Sequence, residues 1–115
     1  MQKVYFLSTC STCKRIMDAL NLDGFELQDI KTEPITADQL DEMKALAGSY
    51  EALFSRRAMK YKSMGLSDKN LTEADYRQLI LAEYTFLKRP VFIFEEAIFI
   101  GSARKTVEAL QKELG

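Results

Sequence analysis

The spacing of apolar residues changes period several times along the chain, and each change predicts an element. Residues 3–7, Lys-Val-Tyr-Phe-Leu, are β-branched and aromatic and end in the small polar pair Ser8-Thr9, which predicts a buried first strand. Over residues 11–22 the spacing turns helical, with Ile16, Met17, Leu20 and Leu22 as an apolar stripe and Asn21 to Gly24 as its stop. Residues 25–30 alternate, with Phe25 and Leu27 in step and Ile30 out of step, so a second strand is expected after Gly24.

Glu33-Pro34 breaks the pattern. Thr36-Ala37-Asp38-Gln39 then matches a capping box ahead of Leu40, Met43 and Ala47, with Gly48 as the C′ residue. Two shorter helical pieces follow over 50–54 and 58–64, interrupted near Ser55-Arg56-Arg57 and closed by Gly65. Thr72-Glu73-Ala74-Asp75 opens a further capped helix that runs through Tyr76, Leu79 and Ile80 to about Leu87. After Arg89-Pro90, Val91–Phe94 and Ala97–Ile100 flank Glu95-Glu96 as a β-hairpin. Gly101-Ser102 ends it, and Ser102 is expected to cap a last helix bearing Val107, Leu110 and Leu114.

The order of strand, helix, strand, several helices, hairpin and helix places a βαβ unit and a ββα unit in one mixed sheet. The expected fold is α/β and thioredoxin-like, with a mixed four-stranded sheet and a helical insertion at about 36–87 between strands 2 and 3. The insertion is too short for linkers of its own, so residues 1–115 are expected to form a single domain.

Composition narrows the function. The 115 residues are 47% hydrophobic and 29% charged, ordinary for a globular domain, and 16 basic against 17 acidic residues leave a formal charge of -1. No global field draws such a chain to nucleic acid or an anionic membrane, so neither is expected as a partner. The first apolar run reaches Ser8 too soon for a signal core or a membrane span, and a cytoplasmic location is the default expectation. With no histidine, histidine triads, imidazole bases and histidine metal ligands are excluded. Two cysteines fall short of the four ligands of structural zinc, so no metal is expected.

The chemistry therefore rests on Cys10-Ser11-Thr12-Cys13. A disulfide closing so small a loop adds little stability, so the pair reads as reactive rather than as a staple. Cys10 falls where the first strand hands over to a helix, and the unpaired N–H groups and dipole of a helix start favour a thiolate there. Cys13, three residues on, shares the helix face with Cys10 and is placed to resolve a mixed disulfide. Lys14 and Arg15 add positive charge nearby.

These features together resemble the arsenate reductase (ArsC) family, including its Spx and YffB-like branches, over nearly the whole chain. The resemblance is carried by Cys10-Ser11-Thr12-Cys13-Lys14-Arg15, the mid-chain helices, Ser55-Arg56-Arg57 with Tyr61 and Gly65-Leu66, and Lys88-Arg89-Pro90 before Val91. It implies that Cys10 is the nucleophile, that Arg57, with Arg56 adjacent, and Arg89 bind an anion, and that Pro90 is a cis-proline. Thr12, inside the motif, joins the anion-binding candidates. Guanidinium forks suit a tetrahedral oxyanion or a glutathione carboxylate. Family arsenate reductases carry a third, late arginine, a position that this chain does not match beyond the candidate Arg104, and Cys13 is instead shared with the Spx branch.

Two functions follow. In the first, an enzyme uses Cys10 to reduce an oxyanion or a mixed disulfide, with Cys13 resolving and glutathione or thioredoxin as external reductant. In the second, an Spx-like regulator toggles the same cysteines and binds the RNA polymerase α subunit without turnover. The chain stops soon after its last helix, without a basic extension of the Spx type, which favours the enzyme.

Overall fold

The structure is a computed structural model describing residues 2–115. Its elements run β1 (Gln2–Phe6), α1 (Ser11–Asp18), β2 (Glu26–Asp29), α2 (Ala37–Ala47), α3 (Met59–Ser63), α4 (Glu73–Ala82), β3 (Val91–Phe94), β4 (Ala97–Ile100) and α5 (Arg104–Leu114), with short 3-10 turns among the middle helices. The described strands form a mixed four-stranded sheet in the order β2-β1-β3-β4. β1 pairs in parallel with β2, and antiparallel pairs join β1 to β3 and β3 to β4. This is the α/β, thioredoxin-like arrangement that the element order implies. The chain divides into two compact units, the residues up to Pro34 with Arg89–Gly115, and Ile35–Lys88.

In the sheet unit, parallel pairing of β1 with β2 requires a crossover, and α1 supplies it. Val4, Ile16, Phe92, Leu110 and Leu114 bury one side of the sheet against α1 and α5, with Phe99 and Val107 packed at its margin. Each such side chain contributes about 1.5–3 kcal/mol on burial, enough to hold two short helices on a four-stranded sheet. Strand β2 faces the opposite way from a simple reading of its apolar residues: Leu27 is 50% exposed, whereas Gln28 is 2% exposed. Burial of Gln28 is tolerated because its Nε2 donates to the carbonyl of Glu33 at 3.0 Å.

The helical unit is closed by local chemistry. Thr36 and Thr72 each accept from the backbone N–H three residues on, and Gln39 and Asp75 accept in return from the cap N–H. Gly48, at φ 95°, ends α2 in a left-handed conformation that favours glycine. Phe54 stacks on Phe86 at 5.1 Å and meets Tyr76 at 4.9 Å, while an isolated bridge ties Phe54 to Leu87. Asp41 braces α2 to α4 by accepting two bonds from Arg77, at 2.8 and 3.1 Å, and one from the Tyr50 hydroxyl at 2.6 Å.

Three element ends differ from the sequence expectation. Helix α1 stops at Asp18 rather than Leu22, because Asn21 N–H donates to the Leu114 carbonyl at 2.7 Å and draws the chain out of the helix toward α5. Helix α4 stops at Ala82, where Glu83 turns extended and Tyr84–Phe86 form a separate 3-10 turn. Ser102 does not cap the last helix. Ala103 occupies the cap position with no side-chain hydrogen bond, and α5 begins at Arg104.

Candidate active site

The end of β1 and the start of α1 place the cysteines. The Cys10 N–H donates to the Leu7 carbonyl at 3.0 Å, closing a tight turn after the strand. Cys10 itself is extended, at φ -97° and ψ 108°, and occupies the N-cap of α1. Its sulfur accepts from the Cys13 N–H at 3.4 Å, where an ordinary helix would use a Ser, Thr, Asp or Asn oxygen. No acidic residue lies in the first turn of α1, so the helix carries no carboxylate of its own to offset its positive end.

The two thiols are free and are driven in opposite directions. Partial burial of Cys10 opposes its charged form. Hydrogen bonds from Cys13 and from the Thr12 backbone, together with the Arg89 charge, outweigh that penalty, and the Cys10 pKa is lowered. Cys13 is 0% exposed. Burial, reinforced by its hydrogen bond to Cys10 and the charge there, pushes its pKa up to about 11. One cysteine is thus a half-exposed candidate nucleophile and the other a sequestered thiol that stays protonated at neutral pH.

Arg89 is half-buried with a buried Nε, and its peptide bond to the buried Pro90 is cis. The structure therefore brings Cys10, Thr12, Cys13 and Arg89 together in the sheet unit. Arg56 and Arg57 belong to the helical unit. There Arg56 pairs with Glu51 at 2.7 Å, donates to the Tyr76 hydroxyl at 3.0 Å and lies 5.7 Å above the Tyr76 ring. Arg57 is exposed, and its backbone N–H donates to Ser55 Oγ at 3.3 Å. Arg104, with its side chain 93% exposed, pairs with Glu108 along α5. Lys14 and Arg15 are exposed.

One contributor escaped the sequence reading. The Asp29 carboxylate accepts from the Ser8 N–H at 3.3 Å and so anchors the loop that leads into Cys10. Hydrogen bonding to Ser8, aided by the Lys31 N–H and charge, outweighs the opposing effect of burial, lowers the Asp29 pKa and keeps this acceptor charged. The signal available was the polar end of strand 2, since parallel pairing puts Asp29 opposite Phe6 at the end of β1. Among the described residues no group of three or more His, Cys, Asp or Glu is placed to hold a metal ion, and no helix is long and apolar enough to cross a membrane.

A mixed sheet in the order β2-β1-β3-β4, a cysteine capping the first helix and a cis-proline ahead of β3 define a thiol protein of the thioredoxin-like class. Within that class the chain belongs to the ArsC family, whose model matches residues 5–110. Solved structures agree. An arsenate reductase (ArsC) related protein from Brucella melitensis is 25% identical with a TM-score of 0.71, over 94% of this chain and 92% of that one. A protein from Streptococcus mutans UA159 described as a possible arsenate reductase is 26% identical with a TM-score of 0.73, over 96% and 97%. The arsenate reductase of Vibrio cholerae is 16% identical with a TM-score of 0.72, over 96% and 95%, and shows the fold alone. No curated protein matches the chain.

Proposed function

We propose that this protein is a thiol-dependent oxidoreductase of the arsenate reductase type, with Cys10 as its nucleophile. The observation that carries the reading is the use of the Cys10 sulfur as the N-cap of α1, which biases Cys10 toward thiolate while leaving it accessible. Membership of the ArsC family supports the same reaction class.

With arsenate as substrate, the Cys10 thiolate displaces one oxygen from As(V), which leaves as water after protonation, and a sulfur–arsenic bond forms. A second thiol, Cys13 or glutathione, attacks the Cys10 sulfur. The sulfur–arsenic electron pair stays on arsenic, which departs as As(III) while a disulfide forms. With a mixed disulfide as substrate, Cys10 attacks one sulfur and expels a thiolate, and Cys13 then attacks Cys10 and releases the second. In both cases two electrons from glutathione or thioredoxin restore the dithiol. Once Cys10 is covalently bonded its negative charge is gone, and one cause of the raised Cys13 pKa goes with it. Arg89, with the Thr12 N–H, would hold the anion beside Cys10. A reducing cytoplasm is the compartment this chemistry fits.

Turnover of arsenate and of a glutathione mixed disulfide, each with glutathione and with thioredoxin as reductant, tests the proposal. The wild type should turn over at least one substrate, and Cys10→Ser should lose about 10³-fold or more. A wild type inert in every combination, yet binding RNA polymerase α subunit only in one redox state, would replace the enzyme with a regulator.

A further inference from the structure

The two edges of the sheet are built differently. Edge strand β2 carries charged Glu26 and Asp29, the kind of residue that blocks pairing with another strand. Edge strand β4, Ala-Ile-Phe-Ile over Ala97–Ile100, has no charge and no proline, and among the described residues no strand pairs with its outer side. Ala97 is exposed, and Ile98, Phe99 and Ile100 are half-buried. Such an edge invites a further strand.

The register shows which groups the edge offers. The Gly101 N–H donates to the Pro90 carbonyl at 2.9 Å, and hydrogen-bonded and non-bonded pairs alternate along an antiparallel ladder. Phe92 with Phe99 and Phe94 with Ala97 are therefore the bonded pairs. The N–H and C=O groups of Ile98 and Ile100 point the other way, out of the sheet edge.

We propose that β4 pairs antiparallel with β4 of a second copy of this chain, giving a two-fold symmetric dimer with a continuous sheet. In the self-complementary register Ile98 of each copy faces Ile100 of the other, which satisfies all the outward N–H and C=O groups. The two Phe99 residues meet on the axis as a close, non-bonded pair. The flanking charges agree with this choice of partner. Continuing the register by one residue sets Glu96, next to Ala97 in the hairpin turn, opposite Ser102 of the second copy. The exposed Glu96 carboxylate thereby reaches toward the start of α5, where the helix dipole is positive and Arg104 and Lys105 are exposed. A second copy supplies this complement twice. A four-residue edge is small, so the dimer is weak, with a dissociation constant of roughly 10 to 100 µM.

Sedimentation equilibrium of the full chain in reducing buffer, from roughly 5 to roughly 500 µM, tests this. The wild type should pass from monomer to dimer across the range. Ile98→Pro removes an outward N–H that β3 does not use and should leave the chain monomeric at every concentration. Glu96→Lys, which leaves the strand untouched, should weaken the dimer several-fold, and adding Lys105→Glu should restore it. A wild type that stays monomeric throughout, or a dimer indifferent to both Ile98→Pro and Glu96→Lys, overturns the proposal.

Discussion

The start of α1 and the starts of α2 and α4 solve one physical problem in two ways. Every helix begins with N–H groups that lack partners inside the helix. At α2 and α4 the problem is closed structurally: Thr36 and Thr72 accept, Gln39 and Asp75 accept in return, and the acidic residues Asp38, Glu73 and Asp75 sit against the positive helix end. At α1 the acceptor is a sulfur, the contact is 3.4 Å, and the first turn holds no acid. What stabilises the fold in the helical unit is left in the sheet unit to stabilise a charge on Cys10. The contrast teaches that a helix cap becomes a reactive centre when the capping atom can ionise and no first-turn acid offsets the dipole.

The comparison breaks most sharply at Cys10. Cys10→Ser converts the reactive start into a structural one like those at Thr36 and Thr72. Rapid alkylation by iodoacetamide, read by mass spectrometry, should vanish because Cys13 is buried, while the urea midpoint should hold or rise by a few tenths of a kcal/mol in stability. Next in size is Arg89→Gln, which removes a charge that lowers the Cys10 pKa and should slow alkylation at pH 7 by about 3- to 10-fold. Thr72→Ala exchanges a closed start for an open one with no chemistry to gain, and should lower unfolding stability by about 1 kcal/mol in urea titration without changing Cys10 reactivity. The smallest effect is expected from Ser11→Asp. It gives α1 the first-turn acid that α2 and α4 possess, and should slow alkylation at pH 7 by about 2- to 3-fold.

Much of this was legible in the residues because the informative signals are local. The capping boxes at Thr36 and Thr72, the left-handed glycine at Gly48 and the two-residue hairpin turn at Glu95-Glu96 are written within a few positions. The misjudged ends depend on distant partners. Helix α1 shortens because Asn21 bonds to Leu114, and no periodicity within residues 11–22 carries that information. The end of α4 is set where the chain turns extended at Glu83 to reach the aromatic contacts around Phe54. The side of β2 that is buried was hidden for the same reason, since the Glu33 carbonyl that satisfies Gln28 lies beyond the strand.

The site divides similarly. A cysteine at a strand-to-helix junction is a sequence feature, and so is its spacing to Cys13. The burial that pushes Cys13 up to about 11, the nearness of Arg89 to Cys10 and the Asp29 anchor of Ser8 all arise from the sheet, which joins segments far apart in the chain.

The central claim concerns the thiolate at Cys10, and the rate of Cys10 alkylation as a function of pH tests it most directly. Because the Cys10 pKa is lowered, the rate should rise with pH along a single titration whose midpoint falls below the value of about 8.5 for a free thiol. A midpoint at or above about 8.5, with the rate still climbing there, would contradict the account.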